Sequence, residues 1–154
     1  MKIISGQAAN LEIFTTNDLT VRPTLIRSRK ALFDHLGNSI VGKNILDLFA
    51  GSGALGLEGA SSGAAKVTFV EINPEHVKII FNNIARIFKT KVKCDCQVKT
   101  CDASNYNAFK DNNKYDLISD VPFLQFSKKR YRWGGYGIKV AGLQAEAVGN
   151  VGGL

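Results

Sequence analysis

The run Asp47-Leu-Phe-Ala-Gly-Ser-Gly-Ala-Leu-Gly56 spaces three glycines, at 51, 53 and 56, as G-x-G-x-x-G. Between a strand and a helix, such glycines permit a tight turn, let a ligand approach the backbone, and allow the helix to lie close on the sheet. Glu71 follows twenty residues after Gly51, at the end of the next β-branched run, where a carboxylate can take both hydroxyls of a ribose. Two nucleotide ligands share this layout, NAD and S-adenosylmethionine. Asp47 separates them. A carboxylate just upstream of the loop repels a pyrophosphate, which wants bare N–H groups and the positive helix end, and attracts a ligand carrying an ammonium and a sulfonium. The electrostatics favour the methyl donor, with NAD as the runner-up. The other reading of Asp47 is a cap on a neighbouring backbone turn.

These residues need strands and helices to position them, and the pattern supplies both. Residues 44–49 are a short apolar run ending at glycine, suited to a buried parallel strand. A helix over 54–61 and a β-branched strand over 66–72 follow. Asn73-Pro74-Glu75 opens a further helix with a cap, a proline at its first position and an acid in its first turn. Val77, Ile80, Phe81, Ile84, Ile87 and Phe88 form its expected buried stripe. Upstream, Leu25, Ala31, Leu32, Phe33 and Leu36 recur at helical spacing over 24–36, and residues 1–14 read as a short hairpin or arm. Third and fourth strands are expected over 97–101 and 115–119. Strands alternating with helices imply an α/β fold with a parallel sheet, half of a doubly wound, Rossmann-like arrangement.

Composition bounds the rest. A chain of 154 residues with 45% apolar and 21% charged residues has room for one domain and a real core. No run is long enough to span a membrane, and the first residues do not form a signal peptide. Three cysteines (Cys94, Cys96, Cys101) cannot all pair within the chain, which favours a reduced, cytoplasmic protein. The net charge of +7 is unevenly spread. Residues 1–126 hold 15 Lys/Arg against 12 Asp/Glu, whereas residues 127–154 hold five against one. Basicity is therefore only weak support for a nucleic-acid partner. We divide the chain into a cofactor-binding domain over 1–126, with an N-terminal arm over 1–23, and a poorly ordered tail over 127–154. That tail has seven glycines, and only 136–143 resembles a strand.

Val21-Arg22-Pro23-Thr24, then Arg27 and Ala31-Leu32-Phe33, then the glycine loop through Leu57-Glu58, together resemble the RsmD-type 16S rRNA guanine-N2 methyltransferases. The resemblance runs from about Lys2 to Phe123. It implies the seven-stranded class I methyltransferase sheet and S-adenosyl-L-methionine as cofactor. It also implies small-subunit rRNA or a ribosomal particle as partner, with a monomer acting without metal or membrane. By resemblance, Asp47, Gly51, Gly53 and Ala54 line the methionine part of the cofactor, Glu71 holds the ribose, and Asp102 reads the adenine amine. Arg22, Thr24 and Arg27 border the substrate. The family's catalytic tetrapeptide, Asp/Asn-Pro-Pro-Phe/Tyr, corresponds to Asp120-Val121-Pro122-Phe123. An exocyclic guanine amine is a poor nucleophile because its lone pair is delocalised into the ring. The Asp120 carboxylate and the next backbone carbonyl would accept its hydrogens, while Phe123 stacks on a base turned out of its helix.

The chain departs from the family pattern in several places. Val121 stands where the family has proline, which keeps the carbonyl and loses rigidity. The segment Tyr115-Asp-Leu-Ile-Ser-Asp120 is one residue shorter than the family's strand, and a one-residue slip turns a side chain to the opposite face. The turn at Gln7-Ala8-Ala9-Asn10 is neutral where the family is basic, which weakens its expected phosphate contacts. After Phe123 the family continues with a helix, a strand and a closing hairpin. The 31 residues that follow here have the wrong composition for them. The expectation is a sheet lacking its C-terminal strands, an open edge on the fourth strand, and a truncation or frame shift near 119–127 that would remove activity.

The remaining candidates carry less. The cysteines lack a fourth zinc ligand at a recognised spacing, His76 being the nearest. His35 and His76 fall on helices without nucleophile partners. Lys89, Lys91, Lys93 and Lys99 read as a solvated face, with RNA contact as the alternative. The aromatic–basic run at 128–133 could grip nucleic acid, but an out-of-frame origin explains it better. The competing functions are a methyltransferase acting on another nucleic-acid or protein substrate, and a cofactor-binding remnant without catalysis.

Overall fold

The computed structural model describes residues 1–16, 23–103, 115–120 and 139–140. Helix α1 (Pro23–Leu36) leads to strand β1 (Asn44–Leu48), helix α2 (Ala54–Ser61), strand β2 (Lys66–Glu71) and helix α3 (Pro74–Ile87). Strands β3 (Asp95–Thr100), β4 (Leu117–Asp120) and β5 (Lys139–Val140) complete one sheet of order β3-β2-β1-β4-β5. The first four strands are parallel, and β5 runs antiparallel to β4. The chain adds β2 and β3 on one side of β1 and β4 on the other. The order therefore reverses at β1, and the carboxyl ends of the strands there form the crevice in which open α/β sheets bind ligands.

The local signals explain the elements. Asn73 caps α3, its side chain accepting the Glu75 N–H at 2.9 Å, with Pro74 at the first helical position. The stripe on α3 is narrower than its apolar residues suggest. Val77, Ile80, Ile84 and Ile87 are buried, whereas Phe81 and Phe88 are half-exposed. Asn83 is fully buried on the same helix. Strand β3 begins two residues earlier than expected, because Lys66 pairs with Asp95 and the ladder runs on to Glu71 opposite Thr100.

Residues 1–14 are part of the core. Ile3, Ala8 and Ile13 are buried, a bridge joins Lys2 to Glu12, and a short 3₁₀ turn spans Gly6–Ala8. One face of the sheet (Ile45, Val67, Phe69, Leu117) packs with these residues and with α1, α2 and α3. The edge of β4, expected to be open, is paired: Leu117 faces Val140 and Ile118 faces Lys139. The pairing strand falls inside the 136–143 stretch and satisfies backbone groups that β4 would otherwise present bare.

Candidate active site

Beyond β1 the chain turns sharply. Phe49 adopts a left-handed φ of 54°, and Gly53, at the N-cap of α2, has φ 78°. A side chain is strained in that region, so glycine suits the cap position. Gly56 is needed for a different reason. A Cβ there would run into the ring of Phe69 and into Val67 on β2, so its absence lets α2 lie against the sheet.

Two acids hold this loop. Asp47, 3% exposed on β1, accepts the Gly56 N–H at 3.0 Å through Oδ2. Burial pushes its carboxyl up to about 7; the Gly56 N–H opposes this and the nearby Glu71 charge adds to it. Glu71, at the end of β2, accepts the Gly51 N–H at 2.7 Å and the Asn73 N–H at 2.9 Å, one through each oxygen. His76 stands beside it, with Nδ1 3.7 Å from Oε1. Asp47 thus does serve as a backbone cap, and does so inside the crevice. Asp47, Gly51, Gly53, Ala54 and Glu71 form one cluster around the loop.

The other expected site residues fall into place unevenly. Asp102 is exposed just beyond β3, at the same end of the sheet, since Thr100 pairs with Glu71. Asp120 is the last residue of β4, opposite Leu48. Its register is fixed from the other end of the strand: Asp116 accepts the Asn44 N–H through Oδ2 at 2.8 Å and donates its own N–H to the Asn44 carbonyl at 2.8 Å. With that pinning, Ser119 takes the position opposite Asp47, and Asp120 takes the alternate one. Ser119 is 1% exposed, and its hydroxyl has no hydrogen-bond partner among the described residues. Arg27 is exposed on α1 and Thr24 lies in its first turn, while Arg22, Val121, Pro122 and Phe123 lie outside the described residues. Cys94, Cys96 and Cys101 are free thiols, and among the described residues no group of three or more His, Cys, Asp or Glu could hold a metal.

Sequence reasoning gave no role to three further residues. Glu58 on α2 is fully buried and accepts the N–H groups of Ile4 and Ser5 and the Ser5 hydroxyl. Arg29 on α1 lies 3.4 Å from it and donates to the Lys2 carbonyl at 2.7 Å. Asn83 joins the glycine loop to Phe14. Their signals were a lone charge in an otherwise small and apolar helix, and an amide inside an apolar stripe.

Comparison with known proteins agrees with this geometry. A family model described as Conserved hypothetical protein 95 matches residues 1–129, and curated relatives with RsmD-type names align over most of the chain. The chain belongs to the RsmD family. The Escherichia coli (strain K12) ribosomal RNA small subunit methyltransferase D is 33% identical over 123 residues, covering 80% of this chain and 60% of that protein. Its counterpart from Buchnera aphidicola subsp. Acyrthosiphon pisum is 38% identical over 124 residues, covering 80% and 63%. The chain thus spans about 60% of the length of these RsmD relatives. Among solved structures, yhhF of Escherichia coli, described as a methyltransferase, matches with a TM-score of 0.65 at 30% identity, over 82% of this chain and 66% of that one. A methylase of Haemophilus influenzae matches with a TM-score of 0.58 at 26% identity, over 76% and 61%. The fold is the Rossmann-like sheet of class I methyltransferases. No helix among the described residues is long and apolar enough to cross a membrane.

Proposed function

We propose that this chain binds S-adenosyl-L-methionine in the crevice at β1 and β2 and methylates an exocyclic guanine amine in small-subunit rRNA. The observation that carries the proposal is Asp47, a buried acid at the mouth of a glycine loop with no cation within ion-pair distance among the described residues. Such a site suits a ligand that brings its own positive charge and disfavours a pyrophosphate. In this reading Asp47 and the backbone of Gly51, Gly53 and Ala54 hold the methionine part, Glu71 the ribose and Asp102 the adenine. The cofactor supplies an electrophilic methyl group. Asp120 and the carbonyl of Val121 accept the hydrogens of the amine, Pro122 stiffens the turn and Phe123 stacks on the base. Arg22, Thr24 and Arg27 contact the RNA backbone, and the work is done by a monomer in the cytoplasm.

One observation favours a second reading, a cofactor-binding protein without catalysis. The register gives the position opposite Asp47 to Ser119 and the alternate position to Asp120. Two measurements separate the readings. Calorimetry should show S-adenosylmethionine binding at least tenfold tighter than NAD, and tighter NAD binding would refute the ligand assignment. Methyl transfer to unmodified small-subunit rRNA should be measurable and lost in Asp120→Ala. Cofactor binding with no transfer would establish the second reading.

A further inference from the structure

Asn83 is fully buried in the middle of α3, where an apolar residue would serve the packing equally well. A buried amide is costly unless its polar atoms are satisfied. Here three hydrogen bonds satisfy it, all to backbone groups of distant segments. Oδ1 accepts the Phe14 N–H at 2.7 Å, and Nδ2 donates to the Phe14 carbonyl and to the Ser52 carbonyl, both at 2.9 Å. One side chain thus holds a residue of the N-terminal arm and a residue of the glycine loop.

Both connections lead somewhere. On the loop side, Ser52 is buried between Gly51, whose N–H is held by Glu71, and Gly53, whose N–H donates to the Ala50 carbonyl at 2.7 Å. The Asn83 amide adds a further fixed point, at the Ser52 carbonyl. On the arm side, Phe14 precedes the segment that runs into α1, where Thr24 and Arg27 lie. Arg86 ties the arm a second time, donating to the Glu12 carbonyl at 2.8 Å and standing 5.0 Å above the Phe14 ring. Among the described residues, no bond from Arg86 reaches the loop.

We propose that Asn83 is a positioning residue that fixes the arm at Phe14 to the glycine loop at Ser52, so that order at the cofactor site and order in the arm rise and fall together. The role assigned to the two ends rests on the function proposed above; the link between them does not. Because coupling between two ligands is reciprocal, a cofactor that settles the loop also settles the arm.

The test is amide hydrogen exchange on the folded chain without ligand, followed by calorimetry with S-adenosylhomocysteine. In Asn83→Ala, the Gly53 amide should exchange about tenfold faster, the effect of losing one net hydrogen bond on the loop, and the Phe14 amide, whose residue loses two, should speed up at least as much. The Ile3 amide, bonded to the Leu11 carbonyl within the arm, should be unchanged. Affinity for S-adenosylhomocysteine should fall about fivefold. In Arg86→Ala, the Gly53 amide and the affinity should stay at wild-type values. Should Asn83→Ala fail to fold, the isosteric Asn83→Asp decides. It keeps an acceptor for the Phe14 N–H and loses the amide donor to the Ser52 and Phe14 carbonyls, so Gly53 should speed up while the Phe14 amide, still bonded, changes less. Faster exchange at Phe14 with Gly53 unmoved, or an equal rise at Ile3, overturns the link. A wild-type chain that ignores S-adenosylhomocysteine overturns only the cofactor reading, and the exchange pattern still judges the link.

Discussion

Helix α2 carries one buried acid, Glu58, on its arm side and meets another, Asp47, on its crevice side, and the two acids are matched differently. On the arm side Glu58 is enclosed by donors, two backbone N–H groups and a hydroxyl, and a guanidinium stands 3.4 Å away. On the crevice side Asp47 has one backbone N–H, from Gly56, and its charged neighbour is another acid, Glu71. Two buried acids are thus partnered in different ways. Glu58 has its counter-charge inside the protein and joins arm, α1 and α2 together. Asp47 has none within ion-pair distance among the described residues, and its carboxyl rises to about 7. An acid left in that condition beside a glycine loop is what a cation-bearing ligand would complete.

The largest effect should come from removing the matched acid. Glu58→Ala leaves Arg29 buried without its partner and uncaps Ile4 and Ser5. It should cost about 3–5 kcal/mol in urea unfolding, enough to loosen the arm. A loss below about 1 kcal/mol would break the comparison, because Glu58 would then be no more than a spectator. Asp47 should show itself through pH. Its folded-state pKa lies above the unfolded value near 4, so between those values the folded chain keeps a proton that the unfolded chain has released. This contribution to stability is therefore full below about pH 4, falls as pH rises to about 7, and is flat above; its span is about 4 kcal/mol at most. Asp47→Asn keeps an acceptor for the Gly56 N–H and removes the proton, so unfolding between pH 4 and 7 should lose that slope. An unchanged slope would place the titration elsewhere. The smallest effect should come from Lys30→Ala, which breaks the solvent-exposed pair with Asp34 on α1. Thermal unfolding should register less than about 0.5 kcal/mol, and this sharpens the contrast by showing that burial, and not pairing alone, gives the Glu58 network its weight.

What the sequence disclosed follows from the range of the interactions. The loop, the bounds of α2 at Ala54–Ser61 and the Asn73 cap depend on neighbours within a few positions, and all were readable. Asp47 was readable too, because its partner Gly56 lies nine positions away in the same motif. Glu58 and Asn83 were not. Their partners lie about thirty to seventy positions distant, and no local pattern says which backbone group a buried side chain will meet. Phe81 and Phe88 misled for a related reason. Helical periodicity marks an apolar sector, but the width actually covered depends on what packs against it, and only Val77, Ile80, Ile84 and Ile87 are covered. The register of β4 was likewise hidden, since the pairing of Asp116 with Asn44 decides it.

The long span of those bonds has a consequence for how the protein is made. Residues 1–14 leave the ribosome well before α2 and α3, yet they are seated by Glu58, Ser61 and Asn83, which arrive about fifty to seventy residues later. At about 5–20 residues per second, the arm waits several seconds with Ile3 and Ile13 uncovered. The arm is thus made before the residues that seat it. That interval is the time in which a nascent-chain chaperone has most to hold.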